Sequence, residues 1–186
     1  MARLKIIVLN ACWCQLRGIA SLIMVICVLS AQAQTLDTAS FTTAIEQVIE
    51  YRAAQSYTKA RQQLDSLQQL PLALYQEATL YFWQAQLSTD KGLYQEGFKY
   101  SSAGRSLLEE QKSWQISSAA EHAKTSKVYL KILQIESLLF YRLERLTEAE
   151  ALSAQAIAFA DSIQDDSRIL QMYNLRASIF YGLGAL

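Results

Sequence analysis

A chain of 186 residues, 52% hydrophobic and 18% charged, carries enough apolar side chain to bury the core of one domain, which excludes a disordered polypeptide. Six glycines and one proline punctuate it sparsely, so long helices on short connections are expected and a strand-rich fold is not. The 17 basic and 17 acidic residues cancel, and no basic excess marks a nucleic-acid binder.

Residues 1–33 differ in kind from the rest. Their only charges are Arg3, Lys5 and Arg17, and the apolar run from Ile19 to Leu29 ends in Ser30-Ala31-Gln32-Ala33. This is the layout of a signal peptide: basic residues stay on the cytoplasmic side, the apolar run is short for a bilayer, and small residues suit a peptidase. Cleavage before Gln34 is the leading reading, which makes residues 34–186 an exported chain, periplasmic or secreted. An N-terminal membrane anchor that stays uncleaved is the alternative, because Ile6 to Leu9 adds a second apolar patch; it is the only route to a membrane expected here. A lipid anchor on Cys27 has less support, since Ile26 stands where that pattern wants a small residue. Cys12, Cys14 and Cys27 all lie in the leader, so neither disulfides nor thiol chemistry is expected after cleavage. Losing three cations leaves 14 Lys and Arg against 17 Asp and Glu, a net charge of −3.

From Ser40 the apolar residues follow a helical period, with Phe41, Ala44, Ile45, Val48 and Ile49 on one stripe. A second helix follows Gln55, with Tyr57, Ala60, Leu64, Leu67 and Leu70 on its buried face, and Pro71 marks the turn out of it. Together they form a hairpin. Leu74, Tyr75, Ala78, Tyr81, Phe82 and Ala85 line a third helix that stops near Asp90-Lys91-Gly92, where glycine suits a left-handed C-terminal turn. Tyr94 opens its partner. Gly97 and Gly104 lie on one face of that partner, where Ala60 and Leu67, then Ala149 and Ala156, lie in the hairpins before and after. Two mid-helix glycines imply either close packing or a looser hairpin. In the third hairpin, Leu133, Ser137 and Phe140 belong to the first helix, and the turn falls near Glu144-Arg145. Thr147 and Glu150 there have capping-box spacing.

These hairpins resemble the tetratricopeptide repeat family, whose unit carries a large residue, two spacers and a small residue early in its second helix. Tyr57-Thr58-Lys59-Ala60, Tyr94-Gln95-Glu96-Gly97 and Leu146-Thr147-Glu148-Ala149 match that pattern. The equivalent first-helix residues are Val48 and Tyr51, Ala85 and Ser88, Ser137 and Phe140, and Ala177 and Phe180. Successive units lie 37, 52 and 40 residues apart, against a family unit of about 34. The interval of 52 departs from the pattern and places an irregularity around Glu109 to Gln115, including Trp114. The resemblance implies an all-α fold, an α-solenoid of stacked antiparallel helix hairpins with its last repeat incomplete. A fourth first helix with Ile169, Leu170, Tyr173, Ala177 and Phe180 on its apolar face would lack its hairpin partner, and a truncated chain is expected on that ground.

Catalysis has little to rest on. His122 is the sole histidine, and the adjacent acids Glu109-Glu110 and Asp165-Asp166 diverge by about 100° on a helix. Asp161, Asp165 and Asp166 lack the spacing of a calcium loop. No catalytic residue, metal or cofactor is expected, and the chain is read as a non-enzyme. The resemblance implies instead a protein or peptide partner on the concave face lined by the first helices, through Arg52, Trp83, Gln86, Lys131, Gln134, Tyr141, Arg142 and Asn174, with Phe82 assigned to the core. The lysine and asparagine clamp with which some members hold a peptide's C-terminal carboxylate is not matched, because Ile45, Ile49, Phe82 and Leu138 occupy the candidate positions. Two functions follow as expectations: a non-catalytic exported interaction scaffold, or the N-terminal sensory region of a longer signalling protein with a kinase or helix-turn-helix domain.

Overall fold

The computed structural model describes residues 36–111 and 118–184. The leader with its cysteines, Trp114 and Leu186 lie outside these residues. Among the described residues there are seven helices and no strands: α1 (Thr38–Ala53), α2 (Tyr57–Gln68), α3 (Leu74–Asp90), α4 (Tyr94–Glu110), α5 (Ala119–Arg142), α6 (Leu146–Ser162) and α7 (Asp166–Gly182). None of them is long and apolar enough to cross a membrane.

Each helix packs chiefly against its neighbours in sequence, and α3 packs also on α5. The core divides accordingly. Phe41, Val48, Leu64, Leu80 and Leu87 form one cluster from α1 to α3, and Leu108, Ile132, Leu133, Met172 and Ile179 belong to a larger one that runs on to α7. Ala85, Ile135 and Leu139 form a smaller third.

The expected hairpin faces are present, and their contacts repeat. Val48, Ala85 and Ser137 are buried on the first helices, and Ala60, Gly97 and Ala149, each twelve residues later, are buried on the second. The Ser137 hydroxyl donates to the Ala149 carbonyl at 3.0 Å. A Cβ on Gly97 would lie 3.2 Å from the Ala85 carbonyl oxygen. A small residue at this crossing lets two backbones approach, which is why the position recurs.

The turns repeat as well, although only one of them is glycine-marked within a hairpin. Gln55, Gly92 and Glu144 have φ of 55°, 74° and 61°, and Gly184 has 68°. In each hairpin the following N–H reaches back to a carbonyl of the last helical turn: Ser56 to Tyr51, Leu93 to Ser88 and Arg145 to Phe140. This is a left-handed helix end closed by a six-to-one hydrogen bond. Gln164, at φ 56°, makes the same turn between α6 and α7. A side chain in this region costs roughly 1 kcal/mol that glycine does not incur. Glu144→Gly is therefore expected to raise stability by up to about 1 kcal/mol, measurable as a higher urea midpoint.

The two glycines of α4 mark close packing. A Cβ on Gly104 would stand 2.8 Å from Tyr81 Cβ and 3.0 Å from Ile132 Cδ1, inside contact distance on both sides. Overpacking costs about 1–3 kcal/mol and the helix-propensity gain returns about 1, so Gly104→Ala should lower stability by up to about 2 kcal/mol. A thermal melt checks the sign; unchanged or raised stability would mean that the α3–α5 wedge around Gly104 has slack.

Local expectations are corrected at four points. Leu70 lies beyond the end of α2 and is 43% exposed, because the helix stops at Gln68. Ile49 is 42% exposed, since among the described residues α1 is covered only on the side that faces α2 and α3. On α3 the apolar stripe is not the only buried face: Leu80, Gln84, Leu87 and Ser88 are buried too, because this helix is packed between α2 and the α4–α5 pair. Finally, Thr147 does not cap α6. The helix begins at Leu146 with Arg145 at its cap position, and Arg145 pairs with Glu148 at 2.9 Å.

The irregular interval of 52 residues resolves mainly into helix length. α5 has 24 residues where α3, α4, α6 and α7 have 17, so its first turns reach past the start of α7. Ser118 caps it, its hydroxyl accepting from the Glu121 N–H at 3.4 Å.

Candidate functional site

The overhang of α5 creates a groove. One wall is the first half of α5 with His122, Lys127 and Lys131; the other is the α6–α7 turn with Asp165, Asp166 and Arg168. The open cavity between them is about 840 Å³. α7 starts where its capping residue directs it: Asp165 Oδ1 accepts from the Arg168 N–H at 3.3 Å and from the Ser167 hydroxyl at 2.8 Å. Further along, the two walls are tied together. Arg168 Nη1 donates to Gln134 Oε1 at 2.7 Å, and Gln134 Nε2 donates to Gln171 Oε1 at 3.1 Å.

Three cations converge here without a carboxylate partner. Arg52, Arg61, Arg105, Arg145 and Arg176 each form an ion pair with a carboxylate, whereas among the described residues Lys127, Lys131 and Arg168 form none within 4.0 Å. The Lys131 ammonium lies 5.7 Å from the centre of the Phe82 ring. Burial holds the Lys131 pKa below its ordinary value, the charges of Arg168 and Lys127 lower it further, and Asp165 opposes them.

The residues expected to contact a partner are dispersed into distinct settings. Lys131 and Gln134 belong to this groove system. Arg52 and Gln86 meet at the other end of the stack, where both donate to the Asp90 carboxylate and are satisfied within the chain. Trp83 is half-buried against the first core cluster, edge-on to Phe82 with ring centres 5.1 Å apart. Phe82 is itself half-buried, bridging the other two clusters. Tyr141 packs on the large cluster and Arg142 lies exposed beside its ring, 6.0 Å from the centroid. Asn174 is exposed on α7 with Leu170, Tyr173 and Tyr181, the last three 66%, 53% and 79% accessible. Ala177 is exposed on that face, although Val48, Ala85 and Ser137 at the same repeat position are buried.

Sequence reasoning missed Lys127, Arg168 and Gln171. Lys124, Lys127 and Lys131 do follow a helical spacing, which signals a basic strip on α5. Nothing local signals that the turn carrying Arg168 folds against that strip.

A second polar cluster is structural. Glu136 on α5 is fully buried against α4, where Arg105 Nη2 donates to its Oε1 at 3.3 Å. Arg105 Nε lies 2.8 Å from Oε2 at an angle that makes this a charge contact rather than a hydrogen bond. The Tyr129 hydroxyl donates to Glu109 at 3.0 Å, and burial followed by that carboxylate pushes its pKa up to about 12. Burial raises the Glu136 pKa above its ordinary 4.5, more than Arg105 lowers it. The folded chain thus holds this proton more tightly than the unfolded one, a contribution complete below pH 4.5 and lost as pH rises through the raised value. Urea midpoints measured across that window should fall more steeply with pH for the wild type than for Glu136→Gln.

In comparisons with known proteins, no family model, no curated protein and no solved structure matches this chain.

Proposed function

We propose that this chain is a non-catalytic, exported scaffold that binds a protein or peptide on the face formed by its first helices. The observation that carries the reading is the groove beside α5, an open cleft of about 840 Å³ whose three cations have no carboxylate within 4.0 Å among the described residues. Charged groups gathered around an open cleft without a direct ion-pair partner are typical of recognition surfaces. The stacked-hairpin solenoid, and with it the resemblance to tetratricopeptide repeats, is supported by the recurring small-residue crossings and left-handed turns. Export rests on the leader sequence alone.

Side-chain engagement favours some of the expected contact residues over others. Lys131 on the groove, with Arg142 and Asn174 exposed further along, is favoured; Arg52 and Gln86 are engaged by Asp90, Gln134 by Arg168 and Gln171, and Trp83 is mainly a packing residue. The reading that these residues are the sensory region of a longer signalling protein is favoured by the uncovered apolar face of α7 around Leu170, Tyr173 and Tyr181. Affinity capture from an extract of the source cells tests the scaffold reading. A partner retained by the wild type should be lost with Lys131→Ala/Gln134→Ala at equal helicity; equal capture by both proteins would move the binding surface elsewhere.

A further inference from the structure

The charge arrangement of the groove specifies what kind of segment it takes. We propose that the groove between α5 and the α6–α7 turn binds an acidic stretch of a partner polypeptide, whose side-chain carboxylates sit between Lys127 and Lys131 on one wall and Arg168 on the other. The inference rests on the scaffold reading and adds the partner's chemistry to it.

Three observations support it. First, three cations line one groove, and among the described residues none of them has a carboxylate within 4.0 Å, whereas Arg52, Arg61, Arg105, Arg145 and Arg176 each do. Second, the two carboxylates that line the groove sit together on the α6–α7 turn and form no ion pair with the three cations within 4.0 Å. Asp165 is occupied as the cap of α7, accepting from Ser167 and the Arg168 backbone, and Asp166 is exposed beside it on the turn. The α5 wall contributes Lys127 and Lys131 to the groove and no carboxylate. Third, Arg168 is preorganised. Its guanidinium is held by Gln134, and Gln134 in turn by Gln171, so a carboxylate meets a donor already fixed in place. A neutral peptide would leave the repulsion between Lys127, Lys131 and Arg168 unrelieved, and a basic one would add to it. The volume accommodates several side chains, which favours a segment with more than one carboxylate over a single small anion.

The test is a two-dimensional NMR titration of the isotopically labelled chain with three probes: an acetylated, amidated decapeptide alternating glutamate and alanine, its glutamine counterpart, and inorganic phosphate. The capped ends remove any terminal carboxylate, so only side-chain charge is offered. The glutamate peptide should shift the amides of Lys127, Lys131 and Arg168, and the glutamine peptide should not. A Lys127→Ala/Lys131→Ala variant whose remaining spectrum is unchanged should bind the glutamate peptide roughly tenfold or more weakly. Equal shifts from both peptides would overturn the charge requirement while leaving a peptide-binding groove. The same shifts from phosphate at equal concentration would overturn the polypeptide requirement. Absence of groove shifts with either peptide would overturn the proposal, and the capture experiment above would then decide the scaffold reading separately.

Discussion

Replacing Arg105 with alanine is expected to lower folding stability by about 3–5 kcal/mol at neutral pH, one of the two largest single-residue effects in this chain. The reason lies in Glu136, which is fully buried between α4 and α5 and has Arg105 as its ion-pair partner. Arg105 keeps 30% of its side chain in contact with solvent, but the carboxylate keeps none, so the loss falls on the acid. Deprived of the guanidinium, Glu136 must either remain charged in a dry interior or take up a proton that neutral water supplies at a cost. Glu109, 3.7 Å from Arg105 and exposed, would be released at little cost. Two controls isolate the mechanism in urea denaturation. Adding Glu136→Gln to Arg105→Ala should recover much of the loss, and so should lowering the pH below the ordinary carboxyl value of 4.5. A loss of under 1 kcal/mol for Arg105→Ala would mean that water reaches Glu136 and that the pair is not load-sharing in the core.

Leu64→Ala should cost about 2–5 kcal/mol in the unit where it sits, and the loss should be confined there. Leu64 is completely buried on α2, in the cluster that joins α1, α2 and α3. The helices beyond α3 draw on a different cluster, around Ile132, Leu133 and Met172, with which α1 and α2 share no core residue. In a stack whose members touch mainly their neighbours, a cavity in one member weakens that member and the adjoining interface. Hydrogen exchange should therefore accelerate through α1 and α2 while α5, α6 and the second half of α4 retain protection. Uniform loss of protection in all seven helices would indicate one indivisible core, and the stacked-hairpin proposal would fall with that result.

Much of the fold is legible in the order of residues because amphipathic periodicity is a local property. Val48, Leu64 and Leu133 declare a buried face through their spacing, and the small residues Ala60, Gly97 and Ala149 recur at one register. Boundaries are less legible. The turns at Gln55 and Glu144 fall where hydrophobic spacing places them, but neither residue type signals the left-handed φ of 55° and 61° that it adopts. Thr147 looks like a cap only until α6 is seen to start one residue before it. The second buried face of α3 is invisible for a different reason: which sides of a helix are covered depends on how many neighbours it has.

The candidate site was legible only in part. Lys131 and Gln134 could be assigned to the inner face from the repeat register, but Arg52 and Gln86 fall on that register too and prove to be committed to Asp90. Helix content, hairpin pairing and the position of the irregular interval needed nothing beyond the sequence, since each follows from hydrophobic spacing and turn chemistry over a few residues. That the irregular interval lengthens α5, that its overhang faces the α6–α7 turn, and that Arg168 comes to stand opposite Lys127 and Lys131 required the folded chain. Those residues lie up to 41 positions apart, and only packing of α6 and α7 against α5 converts that separation into a shared cleft.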